Sequence, residues 1–166
     1  NTATAGCTHW NSFNTTVQTP VKKPGRNSPS RRSASAGGGA TCIDNGMPLV
    51  IFKAADVGRT GYESVAELNG DTELKARVER LRIACGHAMG LGDVTAKNYP
   101  KMTLIAAPIH GGSLSTRSFI PHVCHDAIGV LAAVTVGTAC VLRGSVTEGI
   151  AVMPEGDFIG AQFFGC

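Results

Sequence analysis

Aromatic and charged side chains are both scarce in this sequence of 166 residues, at 5% and 16%. A surface that binds single-stranded nucleic acid by stacking needs exposed aromatic rings, so the shortage of rings argues against that class of protein. Hydrophobic residues reach 43%, and there are 21 glycines. This composition is typical of one folded domain, or of part of a larger two-lobed protein, with many tight turns.

Acidic residues are absent before Asp44, and the first forty residues carry a net charge of +5, all of it within residues 22–32. The remainder has ten basic and twelve acidic residues and carries −2. Residues 1–40 are rich in Thr, Asn, Ser, Gly and Pro, which bury too little apolar surface to offset chain entropy. We predict a poorly ordered basic arm, or a remnant of a first lobe, with a short edge strand within residues 14–20. Such an arm could bind nucleic acid, but a solvated arm is the simpler interpretation, and we expect no nucleic-acid partner.

Several motifs that define other protein classes are missing. The six cysteines include no CxxC pair, which favours reduced thiols in a cytoplasmic protein over a disulfide framework. No secretion signal is recognisable, and the most apolar run, residues 127–142, is too short to span a bilayer. There is neither a GxGxxG sequence after a strand nor a P-loop, so we predict no cofactor and no membrane contact.

From residue 40 onward, short apolar runs alternate with turn signals. Strands are predicted over 40–43 and 48–54, on either side of a tight turn in which Asn-Gly supplies positive φ. A helix is predicted from Thr72 to about Met89, with Asp71 as N-cap and the glycine-rich sequence GLGD at its end. Residues 122–142 are apolar almost all round, which predicts a long helix buried on every side. Further strands are predicted over 101–108, 115–120, 149–153 and 157–164.

Five blocks occur in order along the chain: TCIDNGMPLVIF (41–52), AADVGRTGYES (54–64), LRIACGHAMGLGDV (81–94), YPKMTLIAAP (99–108) and TRSFIPHVCHDAIGVLAAVTVGTACVLRGSV (116–146). Together they resemble the PrpF-type isomerase family, which has the diaminopimelate-epimerase-like fold, and most closely its 4-oxalomesaconate tautomerase and methylaconitate isomerase members. The resemblance implies an α+β fold of two lobes, each a rolled, hot-dog-like β-sheet around a central helix. It places residues 41–108 at the end of the first lobe and in a connecting helix. Residues 109–166 would belong to the second lobe, with 122–142 as its central helix.

The family resemblance also implies a function. It predicts a cofactor-independent isomerase or tautomerase that catalyses 1,3-proton transfer on a small unsaturated di- or tricarboxylate, such as 4-oxalomesaconate or a methylaconitate-like acid. A small polycarboxylate is then the expected partner, and a homodimer is compatible with this view. The sequence covers only the middle of the family's length, and the segment with the family's catalytic groups has no counterpart here, so the catalytic residues are unknown. The alternative is a catalytically incomplete fragment or remnant of that fold, with a structural or binding role.

Groups that can hold a carboxylate are the substrate-binding candidates. Arg117 comes first, because a guanidinium fork matches a carboxylate; a surface arginine is the alternative. His122 and His125 lie three residues apart at the predicted start of the long helix, where they would share a face and gain from its positive end. Asn45 and Gly46 offer amide contacts to a carboxylate, or form a purely structural turn.

Other reactive side chains have simpler explanations. His122, Cys124 and His125 do not predict a metal site, because successive side chains on a helix diverge and no partner motif is present. Cys85 lies in an amphipathic helix, where we expect it to pack in the core. Lys101 opens a predicted strand within a family block, and it is either a chemical group or a strand start.

Overall fold

The computed structural model describes residues 15–18, 39–153, 155 and 161–163. Strands and helices are mixed along the chain, which confirms the α+β prediction. The helices of the described residues are α1 (Val65–Gly70), α2 (Thr72–Ala88) and α3 (Val130–Val141). The sheet has six strands in the spatial order of the chain: β1 (Thr15–Gln18), β2 (Gly39–Asp44), β3 (Pro48–Lys53), β4 (Lys101–Ala106), β5 (Leu114–Phe119) and β6 (Ala161–Phe163).

The sheet is mixed, with β3–β4 and β5–β6 parallel and the other neighbouring pairs antiparallel. Its β1 strand lies at an edge, as predicted for residues 14–20. Successive residues of β3 point to opposite faces of the sheet, and its continuous apolar run is buried because both faces are covered. One face, here called the α2 face, packs against α1 and α2 through side chains that include Val50, Phe52, Met102, Leu104 and Phe119. The opposite α3 face packs against α3 through Leu49, Ile51, Ile105 and Leu114.

The predicted turn between the first two apolar runs is confirmed. Asp44 pairs with Pro48 across the β2–β3 hairpin. Gly46 lies at the tip with a φ of 87°, a left-handed conformation that glycine adopts without steric cost. Proline at the first position of β3 needs no donor there. The hairpin therefore follows from the local sequence.

The helix predicted from Thr72 is confirmed as α2. The carboxylate of Asp71 accepts a hydrogen bond from the backbone N–H of Leu74 at 2.9 Å, as an N-cap does. The chain leaves the helix through Gly90, whose φ is 73°. Its N–H donates to the carbonyl of His87 at 3.0 Å, and this left-handed glycine ends α2.

A buried arginine joins α2 to the loop that precedes β4. Arg82 is 0% exposed, and its guanidinium donates to both carboxylate oxygens of Glu79, at 2.7 and 2.8 Å. It also donates to the carbonyls of Lys97, at 3.2 Å, and Tyr99, at 2.7 Å. A buried charge needs such partners, so this single side chain sets the path of the loop into β4.

The prediction of a helix over 122–142 is wrong in its extent and in its burial. The helix begins only at Val130, because the preceding residues turn back along β5: the N–H of His125 donates to the carbonyl of Ser118 at 2.9 Å. Val130 is 79% exposed and Val134 is 54% exposed. Among the described residues, the sheet covers one side of α3 and leaves the other side open.

The last two predicted strands have different outcomes. The strand predicted over 149–153 is wrong, because this stretch forms turns in which the N–H groups of Ile150 and Ala151 both donate to the carbonyl of Thr147. Of 157–164, the described part is β6, which pairs with β5. Most of the predicted basic arm, residues 1–14 and 19–38, lies outside the described residues.

Candidate functional site

Arg117 lies in the middle of β5 on the α2 face, opposite Leu104 of β4. It is only 5% exposed, so the alternative of a surface arginine is wrong. Its Nε donates to the carbonyl of Glu63 at 2.9 Å, and Nη1 donates to the carbonyl of Thr116 at 3.3 Å. A loop that lies over the sheet therefore holds this cation in place.

That loop, residues 58–64, contains the sequence GRTGYES and packs tightly on the sheet. A Cβ atom added to Gly61 would lie 2.5 Å from Cβ of Ala106 and 3.1 Å from Cβ of Ala54. Tyr62 donates from its hydroxyl to the carbonyl of Ala107 at 2.8 Å. A tight turn next to a buried strand is possible here because glycine lets the backbone approach the strand closely.

Glu63 closes the same loop with its carboxylate. The carboxylate accepts hydrogen bonds from the backbone N–H of Thr60, at 2.7 Å, from the Thr60 hydroxyl, at 2.9 Å, and from the N–H of Gly61, at 2.9 Å. Burial opposes ionisation, but the hydrogen bonds outweigh it and lower the pKa of the Glu63 carboxyl. An ionised Glu63 thus shapes the loop while its carbonyl oxygen faces Arg117.

His125 lies beyond the end of β5, in the segment that turns back along that strand. The preceding residue, Cys124, forms a β-bridge with Phe119. Its backbone N–H donates to Oδ1 of Asn69 at 2.8 Å, and its carbonyl accepts from Nδ2 of Asn69 at 3.1 Å. Two reciprocal hydrogen bonds therefore hold the backbone directly before His125, whose own side chain is exposed.

A shallow depression joins Arg117 and His125. Its cavity volume is only about 10 Å³ and it is partly open to solvent; it is lined by Thr116, Arg117, Ser118, His125, Asp126, Ala127 and Ile128. Complete ligand pockets enclose roughly 300–1,000 Å³, so the described residues do not form a complete pocket here. The Asp126 carboxylate adds a negative charge beside the two candidates.

The depression leads directly to the beginning of α3. Gly129 is the N-cap of that helix and provides no side-chain hydrogen bond to it. The first backbone N–H groups of a helix have no partner within the helix and carry partial positive charge. Ile128, which lines the depression, is two positions before the first residue of this helix.

His122 is not part of this arrangement. Its Nδ1 lies 3.5 Å from Oε2 of Glu79 on α2, and the side chain is 52% exposed. The prediction that His122 and His125 share a helical face is wrong, because both lie in the loop before α3.

The Asn45–Gly46 turn also lies apart from Arg117. Phe52 of β3 pairs with Leu104 of β4, which pairs with Arg117. The turn precedes β3, so it is at least six residues before Phe52 and two strands away. Among the candidates, the structure brings together Arg117 and His125 only.

The comparisons with known proteins agree with this fold. Residues 25–159 match the family model described as PrpF protein. The chain belongs to the PrpF family. It is 57% identical over 116 residues to the (4E)-oxalomesaconate Delta-isomerase of Novosphingobium sp. (strain KA1). It is 54% identical over 117 residues to the 4-oxalomesaconate tautomerase of Pseudomonas putida. Each alignment covers 70% of this chain and 32% of the relative, so the chain spans about a third of the length of these curated relatives.

A solved structure of the PrpF fold confirms the architecture. The crystal structure of methylitaconate-delta-isomerase superposes with a TM-score of 0.68 and 22% sequence identity, over 78% of this chain and 40% of that one. The fold class predicted from the five blocks is thus confirmed for the aligned part. The division into two lobes, with boundaries at residues 40 and 108, stays a prediction.

In this PrpF family member, the Cys124 thiol beside the candidate site is not activated. Cys85 is 0% exposed in the core, as predicted, and both a hydrogen bond with Cys42 and burial raise its pKa. Burial raises the pKa of Cys124 to about 11, so this thiol, next to His125, is protonated at neutral pH. Cys140 is also a free thiol.

Lys101 opens β4 beside Leu49 of β3, and burial lowers the pKa of its ammonium group. In the described ranges, no three His, Cys, Asp or Glu side chains are grouped so that they could hold a metal ion. None of the helices in those ranges is long and apolar enough to cross a bilayer.

Two residues important to the site were missed by the sequence analysis. Glu63 belongs to the block AADVGRTGYES, but nothing local predicts that its carbonyl meets Arg117, 54 positions away. Asn69 contacts Cys124 across 55 positions. The pattern from Ser64 to Glu67 is a recognisable capping box, and it forms in the structure at the start of α1, so that short helix was predictable even though its contacts were not.

Proposed function

We propose that the polypeptide containing this chain is an isomerase that catalyses 1,3-proton transfer on a small unsaturated di- or tricarboxylate. The observation that carries the proposal is the identity of 57% to a relative named for (4E)-oxalomesaconate and of 54% to one named for 4-oxalomesaconate. In such a reaction a base removes a proton from a carbon next to an unsaturated bond. The electron pair delocalises toward a carboxylate or carbonyl, and a proton returns two carbons away, so the product has the composition of the substrate.

We propose that Arg117 and His125 bind one carboxylate of this substrate. Arg117 supplies a nearly buried cation, and charge-assisted hydrogen bonds strengthen where water is excluded. The start of α3 adds partial positive charge beside the depression. The catalytic acid and base stay unassigned, and cofactor independence, a cytoplasmic location and a homodimer stay predictions.

Proton exchange with solvent tests the reaction. Incubation of the purified protein with 4-oxalomesaconate in deuterium oxide should place deuterium at the allylic carbon, detected by proton NMR and mass spectrometry. 2-Methylaconitate serves as the second substrate, and the same mixture without protein gives the background rate. Exchange no faster than background on every polycarboxylate tried would refute the proposal.

The intact mass of the protein purified from its source cell determines which polypeptide enters that assay. A mass equal to these 166 residues, together with no exchange, would favour the alternative of a catalytically incomplete remnant. A larger mass with exchange would support the isomerase.

Binding of an unreactive tricarboxylate, tricarballylate, tests the role of Arg117. Arg117→Lys keeps the charge but loses the planar fork, and we expect the Kd from calorimetry to rise about tenfold. The matched control is Arg143→Lys, because Arg143 is exposed and lies outside the depression. Equal affinities of Arg117→Lys and the control would remove Arg117 from the proposed site.

A further inference from the structure

We infer that Asn69 is a positioning residue that holds His125 beside Arg117, and that α1 is the brace between these two groups. This inference rests on the proposed function of the depression. It concerns a residue that lies outside the lining of the depression and acts on it through the backbone of Cys124.

The Asn69 contact is specific to an asparagine side chain. A carboxamide offers one acceptor and two donors on the same planar group, and Asn69 uses one of each: Oδ1 accepts from Cys124 N–H at 2.8 Å, and Nδ2 donates to the Cys124 carbonyl at 3.1 Å. Both atoms of a single peptide residue are thereby matched. An aspartate of the same shape would keep the first hydrogen bond and place two oxygen atoms against each other in the second.

Helix α1 connects this contact to Arg117. The carbonyl of Glu63, just before the helix, accepts the hydrogen bond from Arg117 Nε. Asn69 lies at the other end, in the last turn of the helix. Six residues of α-helix span about 9 Å, so one short rigid element contacts the candidate binding groups from its two ends.

Both ends of the brace are themselves fixed. At the start, the Ser64 hydroxyl accepts from the N–H of Glu67 at 3.2 Å, and the Glu67 carboxylate accepts from the N–H of Ser64 at 2.8 Å. At the other end, Asp71 follows α1 and caps α2, and its carboxylate accepts from Nε of Arg59 at 2.6 Å. The helix therefore cannot shift freely relative to α2 or to loop 58–64.

Hydrogen exchange and NMR test the positioning directly, without reference to any reaction. In Asn69→Ala, the amide of Cys124 loses its acceptor, and we expect its exchange to accelerate at least tenfold while the amides of β4 keep their rates. The imidazole resonances of His125, assigned with His125→Gln, should shift. Asn69→Asp should likewise shift the His125 resonances. Its matched control is Asn98→Asp at an exposed loop position, which should change neither the Cys124 exchange rate nor the His125 resonances.

A double-mutant cycle on tricarballylate binding separates positioning from general destabilisation. We expect Asn69→Ala and Asn69→Asp to raise the Kd about fivefold to tenfold, and Asn69→Ala to have no further effect once His125 is replaced by glutamine. Residues that act through one another give non-additive effects, whereas independent effects add. Additive losses, or a Cys124 amide that exchanges at the wild-type rate in Asn69→Ala, would overturn the inference.

The experiments distinguish failure of the proposed function from failure of the positioning role of Asn69. If the wild-type protein binds no polycarboxylate, the carboxylate role of Arg117 and His125 is refuted. The exchange rate of Cys124 and the His125 resonances then still report whether Asn69 holds this segment. Unchanged resonances in both Asn69 variants would contradict the positioning role in that case also.

Discussion

Replacement of Gly61 by alanine should destabilise the protein by more than the cost of placing alanine in a left-handed backbone conformation. Gly61 has a φ of 88° and lies where loop 58–64 touches β4. The new Cβ atom would come within 2.5 Å of Cβ of Ala106 and 3.1 Å of Cβ of Ala54. Both neighbouring atoms are alanine Cβ atoms bonded directly to the backbone, so no side-chain rotation can move either one away.

The expected cost has two parts. A left-handed conformation costs a residue other than glycine roughly 1–2 kcal/mol, and overpacking of a dense core costs roughly 1–3 kcal/mol. Together they predict that the free energy of unfolding falls by about 2–5 kcal/mol. Gly58→Ala isolates the first part, because Gly58 has a φ of 73° but, among the described residues other than its chain neighbours, the nearest atom to its added Cβ is Nη1 of Arg77, at 3.9 Å.

Urea unfolding followed by circular dichroism measures both variants. With a slope of about 2 kcal/mol per molar urea, Gly61→Ala should lower the midpoint by about 1–2.5 M, and Gly58→Ala by about 0.5–1 M. The double variant Gly61→Ala with Ala106→Gly removes the closest contact. It should be more stable than the sum of the single changes predicts.

Equal losses in Gly61→Ala and Gly58→Ala would refute this reasoning, because the loop would then not press against β4. Additive losses in the double variant would show that Ala106 is not the group that resists the new methyl group. Since this loop carries the carbonyl that holds Arg117, Gly61→Ala should also weaken tricarballylate binding relative to Gly58→Ala.

Three further perturbations test other contacts by urea unfolding. Arg82→Met should cost about 1–3 kcal/mol, because it removes the hydrogen bonds that this buried guanidinium donates to Glu79 and to the carbonyls of Lys97 and Tyr99; a loss below about 0.5 kcal/mol would contradict the structural role of this arginine. The folded-state pKa of Glu63 is lowered, so its stabilising effect is present above the unfolded value of about 4.3 and is lost as the pH falls below it. Glu63→Gln should flatten that loss below about pH 4.3, and an unchanged pH dependence would count against an ionised Glu63 in the loop. Ser145→Ala should cost about 0.5–1.5 kcal/mol, because the buried Ser145 hydroxyl donates to the carbonyl of Ala139 at 2.7 Å, and that carbonyl keeps the Thr147 hydroxyl as a second donor at 3.0 Å; a loss above about 3 kcal/mol would show that Thr147 does not compensate.

Much of the fold was predictable because its signals are local. The hairpin at Asn45–Gly46, the helix from Thr72 and the strands around residues 101–106 and 114–119 each depend on neighbouring residues. The error at residues 122–142 has the opposite origin. An apolar run favours burial, but the β-bridge between Phe119 and Cys124 uses backbone groups that a helix would have needed.

The candidate site residues also divide into those that local sequence predicted and those that only the tertiary structure placed. Arg117 and His125 were selected from their chemistry and their place in a family block, and the structure brings them to one depression. His122 was selected on the assumption of a helix and instead lies next to Glu79. Without the tertiary fold, there was no way to tell which histidine would lie near the arginine.

The order of turns, strands and the α2 helix, and membership of the PrpF family, were determined by the sequence alone, because each depends on residues close together or on blocks read in order. Only the tertiary structure decided that Arg117 is nearly buried and that its partner is the carbonyl of Glu63. It alone showed that Asn69 holds the backbone before His125. These contacts join residues more than fifty positions apart, and they exist because residues 63–69 meet β5 and the segment after it in one orientation, which no local preference specifies.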